Sequence, residues 1–143
     1  MSVPESRSSA EPPRVSILRD GPYLIASVHT ALDDAQLVRF QADLVDRIRE
    51  ERSRGVIIDV AAMDVVDSFT SRTLSNVARM AQLRGAATVI VGISPELAIT
   101  MVQLGMNLDP VNTALDLDEG LARLDALNGG ERTPPGSRRV PRG

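Results

Sequence analysis

Two short, largely apolar runs constrain the fold of this chain more than any other feature. Residues 55–60 and 87–91 are almost entirely aliphatic, which is typical of strands that are covered on both faces of a parallel sheet. Between them, apolar residues recur at helical spacing over about residues 69–83. This order of strand, helix and strand predicts a parallel crossover unit, with the helix packed on the sheet.

The N-terminal third predicts a hairpin followed by a helix. Residues 15–18 and 23–28 have the composition of strands, and the Asp-Gly-Pro sequence between them is a turn signal. Asp33, with a glutamine three residues later, predicts a capping box at the start of a helix. Apolar residues then follow at helical spacing to about Arg52. We expect Gly55 to end this helix and to open the third strand.

The C-terminal half predicts two more helices and a short strand. The Ser-Pro-Glu sequence at residues 94–96 predicts a helix that begins with proline and ends at Gly105, and a short edge strand is expected within residues 109–112. Acidic residues within 116–119 predict the start of a last helix. Leu117, Leu121 and Leu124 are expected to lie on one face of the last helix. The helix at 68–83 is expected to bury Phe69, Leu74, Val77, Met80 and Ala81.

The sequence therefore predicts one α/β domain over residues 14–127. Its sheet is mixed and mostly parallel, with about four or five strands and about four helices. Residues 1–13 and 128–143 are rich in Ser, Pro, Gly and charged residues, which predicts a disordered N-terminal arm and a disordered C-terminal tail.

Composition removes several classes of function. The formal net charge is −3, and no basic face is evident in the predicted domain, so we expect no nucleic-acid binding. No apolar run approaches the roughly 20 residues of a membrane span, and we expect a cytoplasmic protein. All 16 basic residues are arginine, which excludes Walker-type NTPases and protein kinases because both need a lysine on the nucleotide phosphates. There is no cysteine, so thiolate metal sites are excluded too.

The loop after the first apolar run carries the main candidate site. In parallel sheets, functional loops lie at the carboxyl ends of strands, and residues 61–67 form such a loop. Ser68 follows it at the predicted helix start, where amide groups and the helix dipole favour a phosphate. Ser68 is therefore a candidate phosphoacceptor, and Asp64, Asp67 and Phe69 are candidate partner-binding residues. From spacing alone, helix capping is the more frequent role of such a serine; both roles hold if Asp67 caps the helix and Ser68 is modified.

Two other chemistries have weaker support. His29 is the only histidine and would have to complete a serine hydrolase with Ser68, but the serine lacks a Gly-x-Ser-x-Gly elbow. Asp59, Asp64 and Asp67 suggest a magnesium site, but they show no ligand spacing, and such loop carboxylates are more often caps or solvated groups. We therefore expect neither enzymatic activity, nor a metal, nor a cofactor.

Several segments in a fixed order resemble the STAS domain family, and within it the RsbS-type stressosome antagonists. The segments are residues 55–60, 64–69, 85–86, 92–96, 104–106 and 113–121. The resemblance spans roughly residues 14–127 and implies the STAS fold.

The resemblance also implies a mechanism. RsbS-type proteins co-assemble with RsbR-type proteins into a large cytoplasmic stressosome and hold an RsbT-type serine kinase. That kinase phosphorylates the serine that matches Ser68 and then leaves, and an RsbX-type phosphatase resets the serine. ATP serves the kinase, so no cofactor is implied for this chain. Thr100 matches a second phosphorylated threonine of RsbR-type proteins and is a secondary candidate. The alternatives are a direct anti-anti-sigma factor, which binds an anti-sigma kinase, and a structural STAS subunit whose serine is never modified.

Overall fold

The structure is a computed structural model that describes residues 13–63, 67–103 and 112–129. Within these residues the chain forms five strands and four helices, in an order that alternates after an opening hairpin. The elements are β1 (Val15–Asp20), β2 (Tyr23–Val28), α1 (Asp34–Glu51), β3 (Gly55–Asp59), α2 (Ser68–Leu83), β4 (Ala87–Val91), α3 (Pro95–Gln103), β5 (Asn112–Ala114) and α4 (Leu117–Leu127).

The five strands form one sheet in the order β1-β2-β3-β4-β5. β1 pairs antiparallel with β2, whereas β2 with β3, β3 with β4 and β4 with β5 pair in parallel. This confirms the predicted mixed, mostly parallel sheet. Because β2, β3 and β4 point the same way, their carboxyl ends meet at one edge of the sheet. The loop that leads to α2 begins at that edge, between the loops that follow β2 and β4.

The core lies in two layers, one on each face of the sheet. On one face, helices α1 and α2 pack on the strands, and Leu44, Ile58 and Val77 belong to a single buried cluster. On the other face, Leu124 of α4 packs with Ile57 in a second buried cluster. The neighbouring residues Ile57 and Ile58 are both fully buried because successive side chains of a strand point to opposite faces. This explains why apolar residues follow one another without alternation at 56–58 and 89–91.

Helix α1 begins and ends close to the residues that the sequence predicts. The Asp33 carboxylate accepts a hydrogen bond from the Gln36 backbone N–H at 2.8 Å, and the Gln36 side chain accepts one from the Asp33 N–H at 2.9 Å. The helix ends at Glu51, followed by Arg52 in the left-handed conformation with φ 52°. The predicted helix end near Arg52 and the predicted start of β3 at Gly55 are confirmed. Gly55 itself does not end the helix, because the chain has already left it three residues earlier.

Gly55 serves packing instead. A Cβ atom at this position would lie 2.8 Å from Cδ2 of Leu124 and 3.1 Å from the Tyr23 ring. The glycine therefore lets helix α4 approach the start of β3, and Leu124 is fully buried there.

Two sequence predictions, about Met80 and about the last strand, need correction, and Leu117 is more exposed than Leu121 and Leu124 on the same face of α4. Met80 is 38% exposed and Leu117 is 39% exposed. Met80 lies at the margin of the buried face of α2, and Leu117 lies in the first turn of α4, before Gly120, where that helix approaches the sheet closely. The edge strand begins at Asn112, while residues 109–111, like Gly105, lie outside the described residues. Most of the predicted arm and tail lies outside them as well.

Candidate functional site

The loop between β3 and α2 begins with residues that are hydrogen-bonded to β4 and to the end of β3. The Val60 N–H donates to the Val91 carbonyl at 3.0 Å, and the Ala61 N–H donates to the Asp59 carboxylate at 2.9 Å. A Cβ atom at Gly92 would lie 2.8 Å from the Ala61 nitrogen. Gly92 has a φ of +90°, so glycine is required there both for its backbone conformation and for the close approach of Ala61.

Asp67 caps helix α2. Its backbone is extended, and its carboxylate accepts a hydrogen bond from the Thr70 backbone N–H at 2.8 Å. Hydrogen bonds from Thr70, first from its backbone N–H and then from its side chain, hold the pKa of the Asp67 carboxyl below its ordinary value. Asp67 is therefore ionised at neutral pH, at the positive end of the helix dipole.

Ser68 is the first residue of α2, and its side chain is exposed. Because the Asp67 carboxylate binds the Thr70 amide, the helix does not need the Ser68 hydroxyl as a cap. No residue that the structure describes hydrogen-bonds that hydroxyl. The interpretation of Ser68 as the helix cap is therefore wrong: of the two arrangements that the sequence left open, the structure shows the one in which Asp67 is the cap and the Ser68 side chain is exposed. Modification of Ser68 stays a prediction.

The residues that immediately follow Ser68 are less exposed, and Thr70 and Ser71 are buried. The Phe69 side chain is half-buried, and its backbone carbonyl accepts a hydrogen bond from the Thr73 hydroxyl at 2.9 Å. The exposed pair Asp67 and Ser68 is therefore carried on a packed first turn. Partner binding by Asp67, Ser68 and Phe69 stays a prediction. Asp64, the fourth predicted partner-binding residue, lies outside the described residues.

The remaining candidate residues do not extend the site. Nε2 of His29 lies 2.9 Å from the Ser16 hydroxyl, so its described hydrogen-bond partner lies in β1 rather than in α2. Asp59 accepts the Ala61 N–H as a loop cap. Thr100 lies within α3, and its side chain is outside the described part of the structure. Across residues 13–63, 67–103 and 112–129, no group of three His, Asp or Glu side chains could hold a metal ion.

The groove beside the start of α1 does not include Ser68. A groove of about 470 Å³ between β1 and the start of α1 is lined by Val15, Ile17 and Phe40, among others, and Ser68 is not one of its lining residues. None of the helices in the described ranges is both long enough and apolar enough to cross a membrane. The candidate site is thus an exposed helix start that carries a hydroxyl and a carboxylate.

The motif around Ser68 does not draw attention to Arg72, one turn later on α2. Arg72 is exposed. It lies on the same face of α2 as Ser68, since residues four apart on a helix are neighbours. The signal in the sequence is this four-residue spacing. It indicates that the two side chains are neighbours only if Ser68 already belongs to the helix, which the structure shows.

Comparison with known proteins places this geometry in a family. The profile of the STAS domain family matches residues 14–120. The RsbT co-antagonist protein RsbRA of Bacillus subtilis (strain 168) is 31% identical over 90 residues, which are 63% of this chain and 33% of RsbRA. The chain thus spans about a third of the length of that relative.

Two solved structures match over almost their whole length. A serine-to-glutamate variant of RsbS from Moorella thermoacetica has a TM-score of 0.71 and 35% identity, and the match covers 82% of this chain and 99% of that one. A chain from a structure of the stressosome, a signal integration and transduction hub, has a TM-score of 0.63 and 33% identity, with 79% and 98% covered. The predicted STAS fold is confirmed, and the chain belongs to the STAS domain family, with RsbS as a structural match.

Proposed function

We propose that this chain is a phosphorylation-gated antagonist of a bacterial stressosome in the cytoplasm. It holds an RsbT-type serine kinase while Ser68 is unmodified, and it releases the kinase when that kinase phosphorylates Ser68. RsbR-type proteins are its co-scaffold, and an RsbX-type phosphatase restores the serine. The chain itself catalyses nothing, because the kinase supplies the nucleotide chemistry.

One observation carries the proposal: Ser68 is exposed at the first position of α2, and Asp67 fulfils the capping role that would otherwise occupy a serine there. The similarity to RsbS over 99% of that chain supports it. So does the relative RsbRA, which is described as an RsbT co-antagonist.

Charge explains how a phosphate at this position releases a partner. Phosphorylation adds a charge of about −1.5 to −2 directly beside the ionised Asp67. A partner that docks on the neutral Ser68 then meets a concentrated negative charge. A hundredfold loss of affinity requires about 2.8 kcal/mol, and juxtaposed like charges at an interface cost several kcal/mol. The helix itself need not refold, because its N-terminus favours negative charge.

The test is phosphorylation by an RsbT-type kinase, followed by intact-mass and peptide mass spectrometry. The wild-type chain should gain one phosphate on Ser68, and Ser68→Ala should gain none. Ser94→Ala is the matched control, because Ser94 is also an exposed serine at a helix start, and it should be phosphorylated like the wild type. A phosphate that persists in Ser68→Ala, for example on Thr100, or none at all from a kinase active on another substrate, would contradict the proposal.

The size of the complex separates the proposal from its closest alternative. A megadalton assembly with an RsbR-type partner supports the stressosome antagonist. A small heterodimer with an anti-sigma kinase would instead identify a direct anti-anti-sigma factor. Ester turnover that disappears in both Ser68→Ala and His29→Ala would identify a hydrolase and overturn both.

A further inference from the structure

We propose that Arg72 is the internal counter-ion of phosphorylated Ser68: its guanidinium binds the phosphate from one turn further along α2. The inference rests on the proposed function to the extent that Ser68 is the residue that carries a phosphate. It adds a phosphate-binding residue to the site and explains how α2 accommodates a dianion next to the Asp67 carboxylate.

The geometry of α2 brings the two side chains together. The helix is continuous from Ser68 to Leu83, so Ser68 and Arg72 are four residues apart, with Cβ atoms about 5–6 Å from each other. Cα–Cβ bonds of a helix tilt toward its N-terminus, which directs the long Arg72 side chain back toward Ser68. An acidic group placed four residues before a basic one is also the favourable orientation of such a pair.

Arg72 has no competing ion pair within the part of the chain that the structure describes. The described ion pairs involve other arginines, Arg19, Arg47 and Arg49. Both Ser68 and Arg72 are exposed, so a phosphate on Ser68 is within reach without any rearrangement of the core. Arginine suits this role because its planar guanidinium can donate two parallel hydrogen bonds to phosphate oxygens.

The charged groups around the phosphate have opposite effects. Asp67 immediately precedes Ser68 and is ionised, so it repels a phosphate. The helix N-terminus and Arg72 attract it. If Arg72 were absent, only the helix dipole, among the groups on the described first turn of α2, would offset the repulsion from the Asp67 carboxylate. Arg72 therefore lets the modified serine remain on an intact helix, so that the effect of phosphorylation is felt by the partner rather than by the fold.

Arg79 provides an internal control. It is exposed and has no described ion pair, like Arg72, and it lies on the same face of α2. It is about three turns from Ser68, or about 16 Å along the helix axis, which is beyond the reach of a phosphate on Ser68. Arg79→Gln thus removes an identical charge from the same helix without removing the proposed contact.

The test uses protein in which phosphoserine is installed at position 68 during translation, so it needs no kinase. A ³¹P NMR titration measures the second pKa of the phosphate in wild type, Arg72→Gln, Arg72→Lys and Arg79→Gln. A single charge about 5 Å away at an exposed site shifts a pKa by about 0.5. We expect Arg72→Gln to raise the pKa of the phosphate by about that amount, Arg72→Lys to retain most of the wild-type behaviour, and Arg79→Gln to match the wild type. The difference should shrink at high salt.

A second readout follows the guanidinium itself. The side-chain Nε–Hε resonance of Arg72 should move on phosphorylation, whereas that of Arg79 should not. An unchanged Arg72 resonance together with equal pKa values of the phosphate in wild type and Arg72→Gln would overturn the inference. Because the phosphoserine is installed directly, that result is distinct from a failure of the kinase to modify Ser68, which would overturn the proposed function instead.

Discussion

Replacing Gly92 by alanine tests how the loop toward α2 is held in place. Gly92 follows β4 with a φ of +90°, and a Cβ atom there would lie 2.8 Å from the Ala61 nitrogen and 2.9 Å from the Ala61 Cα. Contacts below 3.0 Å with backbone atoms cannot be relieved by a side-chain rotation. The alanine must therefore displace either the end of β4 or the start of the loop that leads to the candidate site.

The expected loss of stability in Gly92→Ala has a conformational part and a packing part. Gly85→Ala measures the conformational part alone. A left-handed conformation costs an L-residue about 1–2 kcal/mol relative to glycine. Overpacking against a fixed neighbour adds about 1–3 kcal/mol. Gly85 has a similar φ of +81°, but a Cβ atom there would have nothing within 4 Å. Gly85→Ala should therefore lose only the conformational part, and Gly92→Ala about 2–5 kcal/mol.

The assay is equilibrium unfolding in urea, with the free energy extrapolated linearly to water. We expect Gly92→Ala to be less stable than Gly85→Ala by about 1–3 kcal/mol. Backbone amide resonances of Ala61 and Ala62 should also shift in Gly92→Ala alone. Equal losses of stability in the two variants, within about 0.5 kcal/mol, would refute the claim that Gly92 is required for the approach of Ala61.

Three further changes test the cap, the second core layer and the switch. Asp67→Ala should lose about 1 kcal/mol of stability. Because hydrogen bonds lower the pKa of Asp67 in the folded state, this contribution is present above the ordinary pKa of about 3.9 and is lost as the pH falls through the folded pKa. Urea unfolding should therefore show the stabilities of wild type and variant converging in acid. Tyr23→Phe should cost about 1–2 kcal/mol in the same assay, because the hydroxyl of this buried tyrosine donates to Asp125 at 2.5 Å; no loss would show that the bond adds nothing. Ser68→Ala should retain the kinase in a binding assay and Ser68→Asp should weaken it, whereas equal affinities would contradict a charge-based release.

Features encoded locally could be predicted from the sequence. The capping box at Asp33 and the start of α2 at Ser68 each depend on residues within one helical turn, and the structure confirms both. The central strands β3 and β4 were equally predictable, because burial on both faces leaves a continuous aliphatic run. The sequence left open whether Asp67 or Ser68 caps α2, because both are cap-forming residue types, and the structure assigns the cap to Asp67.

Features that depend on tertiary contacts could not be predicted in this way. The position of β5 is decided by its pairing with β4. A strand of three residues is too short to show a periodic pattern of apolar residues in the sequence. Gly55 looked like a helix terminator, and its contact with Leu124 exists only because α4 packs on the opposite face of the sheet. Met80 has the apolar character of a core residue, but its exposure depends on how closely the neighbouring elements approach that side of α2.

The most direct test of the central claim is the affinity of an RsbT-type kinase for this chain before and after phosphorylation of Ser68. Both forms can be compared by isothermal titration calorimetry, with the modified form made by installing phosphoserine at position 68. The account predicts that the kinase binds the unmodified chain and that the phosphate weakens binding by about a hundredfold or more, equivalent to about 2.8 kcal/mol. Affinities that agree within about twofold, a difference of about 0.4 kcal/mol, would contradict it.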